Sequence, residues 1–176
     1  MRKLFFLFLS LCSTTAFSYQ HGATLSYVIF PKDPTNLHGI RAAYWFQPES
    51  WIWKSAQIYI DTSAGHWWIT SNSPNHSLNS IAVAPVLRYY LQKVPTISPY
   101  VEFSIGPSYL SRTRIDGRNL GMHFAFQDQL GIGMTYGKEE RFYSSISVLH
   151  YSNGSLCRWN AGITVPIMLN LGYKFN

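Results

Sequence analysis

His150 and Ser152 stand two residues apart in the stretch Leu149-His150-Tyr151-Ser152-Asn153-Gly154. An imidazole can take up a proton near neutral pH, and a serine hydroxyl attacks a carbonyl carbon once such a base relieves it of its own. The pair is the minimum needed for ester chemistry. Whether the two groups can meet depends on the element that carries them. Phe142, Ser144, Ile146, Val148, His150 and Ser152 alternate with Tyr143, Ser145, Ser147, Leu149 and Tyr151, which reads as a β-strand with His150 and Ser152 on its more apolar face. Strand geometry puts their Cα atoms roughly 6.6 Å apart, within reach of a histidine–serine hydrogen bond. An H-x-S triplet is weak by itself. Its placement is the stronger signal, because an ionisable side chain facing hydrocarbon is costly and marks function.

The rest of the chain suggests why a strand face would meet hydrocarbon. Arg2 and Lys3 precede an apolar run from Leu4 to Cys12 and small residues near Ala16-Phe17-Ser18, the layout of a secretory signal (residues 1–18) cut after Ser18. The remaining 19–176, roughly 158 residues, is one domain's worth. It is rich in aromatics (16%) and poor in charge (12%), where soluble domains carry about 25% charged residues. Cys157 is the sole cysteine left after signal cleavage, so an internal disulfide is excluded.

Period-two segments recur near 21–30, 38–47, 55–64, 80–92, 98–112, 122–136, 141–152 and 161–175. This predicts an all-β fold, an eight-stranded antiparallel transmembrane β-barrel with both termini at the periplasmic end, short periplasmic turns and longer outer loops. In the last segment Ala161, Ile163, Val165, Ile167, Leu169, Leu171, Tyr173 and Phe175 alternate without a break with Gly162, Thr164, Pro166, Met168, Asn170, Gly172 and Lys174, one set for lipid and one for the lumen. Eight strands leave an interior just filled by side chains, so a channel is not expected. Trp67 and Trp68 at the outer end of the third strand and Trp45 near the inner end of the second read as interface anchors. The alternative, a soluble barrel of the lipocalin type, would keep its apolar residues inside. His150 lies nine residues beyond Arg141, roughly 23 Å up the wall at ~3.3 Å per residue and ~40° tilt. That is the depth of a glycolipid's ester bonds in the outer leaflet.

His150-Tyr151-Ser152-Asn153-Gly154 closely resembles the signature of the lipid A 3-O-deacylase family (PagL), outer-membrane esterases of Gram-negative bacteria. Pro99-Tyr100-Val101-Glu102 with Gly106, Ser111-Arg112-Thr113-Arg114, Phe124 through Gly133, and Asn160-Ala161-Gly162-Ile163 extend the similarity. It covers residues 80 to 176 well and the N-terminal half in pattern. The resemblance implies removal of the 3-linked hydroxyacyl chain of lipid A without metal or other cofactor. It makes His150 the general base, Ser152 the nucleophile, and Asn153-Gly154 part of the oxyanion hole. One position departs: the family's glutamate is Thr164 here, and Asp and Glu are absent after Glu140.

The histidine must then be oriented by something else, or the enzyme works without an acid. In the sixth strand Asp128 shares the apolar phase of Phe124, Phe126, Leu130, Ile132, Met134 and Tyr136. A turn at Lys138-Glu139-Glu140 sets Asp128 directly opposite His150; a turn one residue earlier makes them diagonal neighbours. Asp128 is the expected orienting acid, with Asn160 as the other possibility.

The net charge of +6 falls partly in predicted outer loops, at Arg112, Arg114, Arg118 and Arg158. Arginine pairs bidentately with phosphate, so a basic rim would hold the headgroup of lipopolysaccharide. Positive charge is scattered and the chain is exported, which excludes nucleic acid as a partner. The expected state is a monomer or homodimer in the outer membrane, its site facing the outer leaflet. A non-catalytic barrel that binds lipopolysaccharide or a host surface, and a phospholipase or acyltransferase on the same scaffold, are the competing readings.

Overall fold

The computed structural model describes residues 18–31, 36–70, 72–94 and 96–175; the signal segment expected over 1–18 lies, but for Ser18, outside them. Eight long strands form one closed antiparallel barrel: β1 (Tyr19–Val28), β2 (Leu37–Pro48), β3 (Ala56–Ile69), β4 (Ser77–Tyr90), β5 (Ile97–Leu110), β6 (Phe124–Tyr136), β7 (Phe142–Ser152) and β8 (Ile163–Lys174). Each pairs with its sequence neighbour, and β1 closes on β8. Closure leaves no unpaired strand edge, so every ladder group inside a membrane finds a partner. β1 begins and β8 ends at the end that carries residues 49–55, 91–94 and 137–141, the turn end. Residues 29–31, 72–76, 111–123 and 153–162 lie at the other, the loop end.

Side-chain alternation sorts the two faces. Leu25, Tyr27, Ile81, Leu87, Phe103, Ile105, Leu130, Ile132, Ile146 and Leu171 are exposed on the outer wall, while Ser80, Arg88, Glu102, Gln127, Gln129, Ser145 and Asn170 are buried inside. An apolar outside around a polar, packed inside is the reverse of a soluble barrel and fits a membrane-spanning one. Mid-lumen, Glu102 accepts from Arg88 Nε (3.1 Å) and Nη2 (2.9 Å) and from the Tyr59 hydroxyl (3.0 Å), and the Arg88 guanidinium lies 3.9 Å from the Tyr100 ring centre. Arg41 pairs with Asp61. Each buried charge thus has a counter-charge, as a dry interior demands.

Three features depart from the sequence expectations. β3 runs to Ile69 rather than stopping at 64, so the loop after it is short. Trp67 and Trp45 are not interface anchors: both point inward, 0% and 6% exposed. Trp67 donates to the Ser80 hydroxyl at 2.9 Å and Trp45 to the Tyr143 hydroxyl at 2.7 Å. Glycines make the room, since a Cβ at Gly39 or Gly65 would run into the Trp67 ring and one at Gly22 into Trp45. A large ring needs a missing side chain on the neighbouring strand, a pairing that local alternation does not reveal.

The third departure is in β8. Its register on β7 shifts by one residue between Val165 and Met168. Ile163, Val165, Met168 and Asn170 are all buried in the lumen, whereas Thr164, Leu169 and Leu171 are exposed. The unbroken alternation expected here is therefore reversed across Pro166-Ile167. Proline has no N–H to give the ladder, and a bulge is one place where a spanning strand accommodates it.

Candidate active site

The bulge determines which side chains surround His150. Above it β8 pairs Thr164 with His150, and β6 pairs Asp128 with the same residue from the other side. Asp128, His150 and Thr164 thus form one row across three strands on the outer wall. The turn at Lys138–Glu140 sets this register between β6 and β7, the first of the two possibilities the sequence left open.

His150 Nδ1 lies 2.9 Å from Thr164 Oγ1. Asp128, across the row, keeps Oδ1 buried without a hydrogen-bond partner among the described residues. The carboxylate therefore stands beside the imidazole, and the contact on Nδ1 comes from a hydroxyl. The ring's far edge extends toward the loop end. A Cβ placed on Gly162 would sit 3.0 Å from His150 Cε1 and 3.3 Å from Nε2. Gly162 lies just before β8, beside the imidazole edge that carries Nε2; among the described residues the hydrogen bond of His150 is the one to Thr164, and none joins it to Ser152. Gly162 has φ +61°, a second reason for glycine there.

Ser152 ends β7, facing outward and paired with Phe126 of β6. The chain then turns sharply: Gly154 and Ser155 have φ +61° and +65°, and Leu156 N–H donates to the Asn153 carbonyl at 3.1 Å. Gly154 packs so closely on Phe126 that a Cβ would lie 2.9 Å from the ring.

Asn153 is buried and holds this turn from below. Its Nδ2 donates to the carbonyls of Leu120 (2.9 Å) and Trp159 (2.6 Å) and to Cys157 Sγ (3.1 Å). Its backbone N–H donates to Asn160 Oδ1 at 2.9 Å. Asn160 thus braces the loop beside the serine. Ala161 N–H donates to the Asn119 carbonyl at 3.1 Å, so loops 111–123 and 153–162 are stitched together above the site.

The arginines divide. Arg118 Nη1 donates to the Gly162 carbonyl at 3.3 Å, beside His150. Arg112 donates to the Pro74 carbonyl at 2.9 Å, tying it to the loop between β3 and β4. Arg114 is exposed on a short ribbon, Arg114–Ile115 with Arg118–Asn119. Arg158 is exposed, its guanidinium 5.3 Å from the Trp159 ring centre.

Sequence reasoning noted Thr164 as a departure and missed it as a neighbour of His150; Gly162 it passed over. The slip of β8 at Pro166-Ile167 has no distinctive mark in the sequence, since Pro85, Pro99 and Pro107 sit in register in β4 and β5.

Comparison with known proteins agrees with this geometry. Residues 32–174 match the family model for lipid A 3-O-deacylase (PagL). The chain is 28% identical over 121 residues to the lipid A deacylase PagL of Pseudomonas aeruginosa, covering 65% of this chain and 68% of that protein. It is 26% identical over 124 residues to the lipid A deacylase PagL of Bordetella bronchiseptica, 70% of this chain and 65%, just under two thirds, of that protein. Among solved structures, the outer-membrane enzyme PagL superposes with a TM-score of 0.65 at 22% identity, over 90% of this chain and 99% of that one. Neisserial surface protein A gives 0.56 at 9% identity, over 89% and 95%. Those two likenesses speak for the barrel; the family model, running from loop to last strand and across the Asp128, His150, Ser152 and Thr164 positions, goes further. The chain belongs to the lipid A 3-O-deacylase (PagL) family of outer-membrane barrels.

Proposed function

We infer that this barrel hydrolyses the ester-linked hydroxyacyl chain at the 3-position of lipid A, with its loop end in the outer leaflet. The observation that carries the reading is a base and a hydroxyl two residues apart on the outward face of β7, in a chain of this family. His150 Nε2 takes the proton of Ser152 Oγ, which attacks the ester carbonyl carbon. The oxyanion that forms is stabilised by the positive-φ turn after Ser152, with the Gly154 amide as donor and Asn153 holding the turn in place. Collapse breaks the bond to the sugar oxygen, which leaves with the proton from the imidazolium. Water, deprotonated by the same histidine, then releases the acyl chain from Ser152.

Asp128 supplies the negative charge beside the imidazolium formed in both steps. The row of side chains is complete in one chain, so a monomer suffices. Arg118, next to Gly162, is best placed of the four arginines to meet a lipid A phosphate; Arg114 and Arg158 complete a looser basic rim, with Arg112 on its far side.

Purified barrel in detergent, incubated with lipid A, tests this by mass spectrometry with Ser152→Ala as control. Loss of one hydroxyacyl chain with the native protein alone is expected. Gain of a palmitoyl chain would make it an acyltransferase, and unchanged lipid A would favour a non-catalytic, lipopolysaccharide-binding barrel.

A further inference from the structure

We propose that Thr164 is the positioning residue for His150: an uncharged hydroxyl selects the imidazole tautomer and aims Nε2 at Ser152. The inference rests on His150 being the base. Three observations converge on it. Thr164 is the direct cross-strand partner of His150, with Oγ1 2.9 Å from Nδ1. The ring's other edge occupies the space left by Gly162. And Thr164 reaches the outer wall because the strand slips by one residue at Pro166-Ile167.

A threonine side chain has few χ1 options on a strand, so its hydroxyl is fixed by the backbone. That hydroxyl can accept the Nδ1 proton, which leaves the lone pair on Nε2. Nε2 is the nitrogen that must meet Ser152 for His150 to act as its base. Asp128, on the opposite flank, leaves Oδ1 without a hydrogen bond among the described residues, so that oxygen does not compete for this task.

The choice of a neutral acceptor has a consequence. A carboxylate bonded to Nδ1 would favour the imidazolium; a hydroxyl orients the ring without adding a charge beside it. A base must be unprotonated to act. The enzyme should therefore keep its activity to lower pH than it would with an acid at position 164.

The test uses detergent-solubilised full-length barrel and lipid A, with folding followed by heat-modifiable gel mobility. Thr164→Val keeps the shape and removes the hydroxyl; kcat should fall about tenfold or more with KM little changed. Thr164→Ser should retain activity within about threefold. Thr164→Glu should move the acidic limb of the kcat/KM profile to higher pH. A second readout needs no turnover: 15N spectra of His150 should show the Nδ1-protonated tautomer in the native protein and a mixture in Thr164→Val.

Native kcat in Thr164→Val, or a serine variant as poor as the valine, would overturn the proposal. Failure of the underlying reading looks different: His150→Ala would stay active, whatever position 164 holds.

Discussion

Asp128 and His150 are direct partners across the β6–β7 ladder, both on the outer wall, yet Asp128 Oδ1 is buried and unbonded. A carboxylate so placed contributes through its charge. Its effect should be felt as the imidazole gains a proton, because charge–charge attraction is strong where water is scarce. Asp128→Asn keeps the shape and removes the charge. Turnover of lipid A should fall about 10- to 100-fold, ~1.4–2.8 kcal/mol of barrier. The barrel should remain heat-modifiable on gels. Full activity in this variant would remove the aspartate from the mechanism.

Gly162 carries two demands at once, a positive φ and an empty Cβ position under the imidazole. Gly162→Ala should cost about 1–2 kcal/mol of local strain and push the ring away from Ser152. The expected kinetic result is a drop in kcat with KM nearly constant, measured on lipid A in detergent. Equal activity would mean that the ring need not lie where it does.

Asn153 joins two loops through one side-chain amide. Asn153→Ala leaves the Leu120 and Trp159 carbonyls without that donor, a loss of about 1–3 kcal/mol. The effect should be local. Limited proteolysis should cut loops 111–123 and 153–162 faster, activity should fall in parallel, and the unfolding midpoint of the barrel should hardly move.

Trp67 fills the lumen at the loop end, edge-on to Tyr151 with ring centres 6.0 Å apart. Trp67→Ala should destabilise the barrel by about 3–5 kcal/mol, read by denaturant titration with gel mobility as the signal. Were Trp67 an interface anchor, the same change would cost far less.

The outward phase of β7 was legible because six residues alternate cleanly and the misplaced polar pair stands out against them. Counting back from a short turn left Asp128 either opposite His150 or diagonal to it, and the turn at Lys138–Glu140 decided for the direct pairing. The barrel, and the shared outward face of His150 and Ser152 on it, needed no coordinates. Loop arrangement was beyond counting: Arg112 and Arg118 look alike in sequence, and the fold sends one to Pro74 and the other to Gly162.

Local alternation could decide as much as depends on a residue's own neighbours along the chain. Tertiary structure decided the rest, where two strands must fit each other: Trp45 and Trp67 turn inward because glycines across the ladder leave space for them, and Thr164 turns outward because β8 slips by one residue against β7 across Pro166-Ile167. A one-residue slip reverses every side chain beyond it, and its position is set by pairing with β7, not by the alternation of β8 itself.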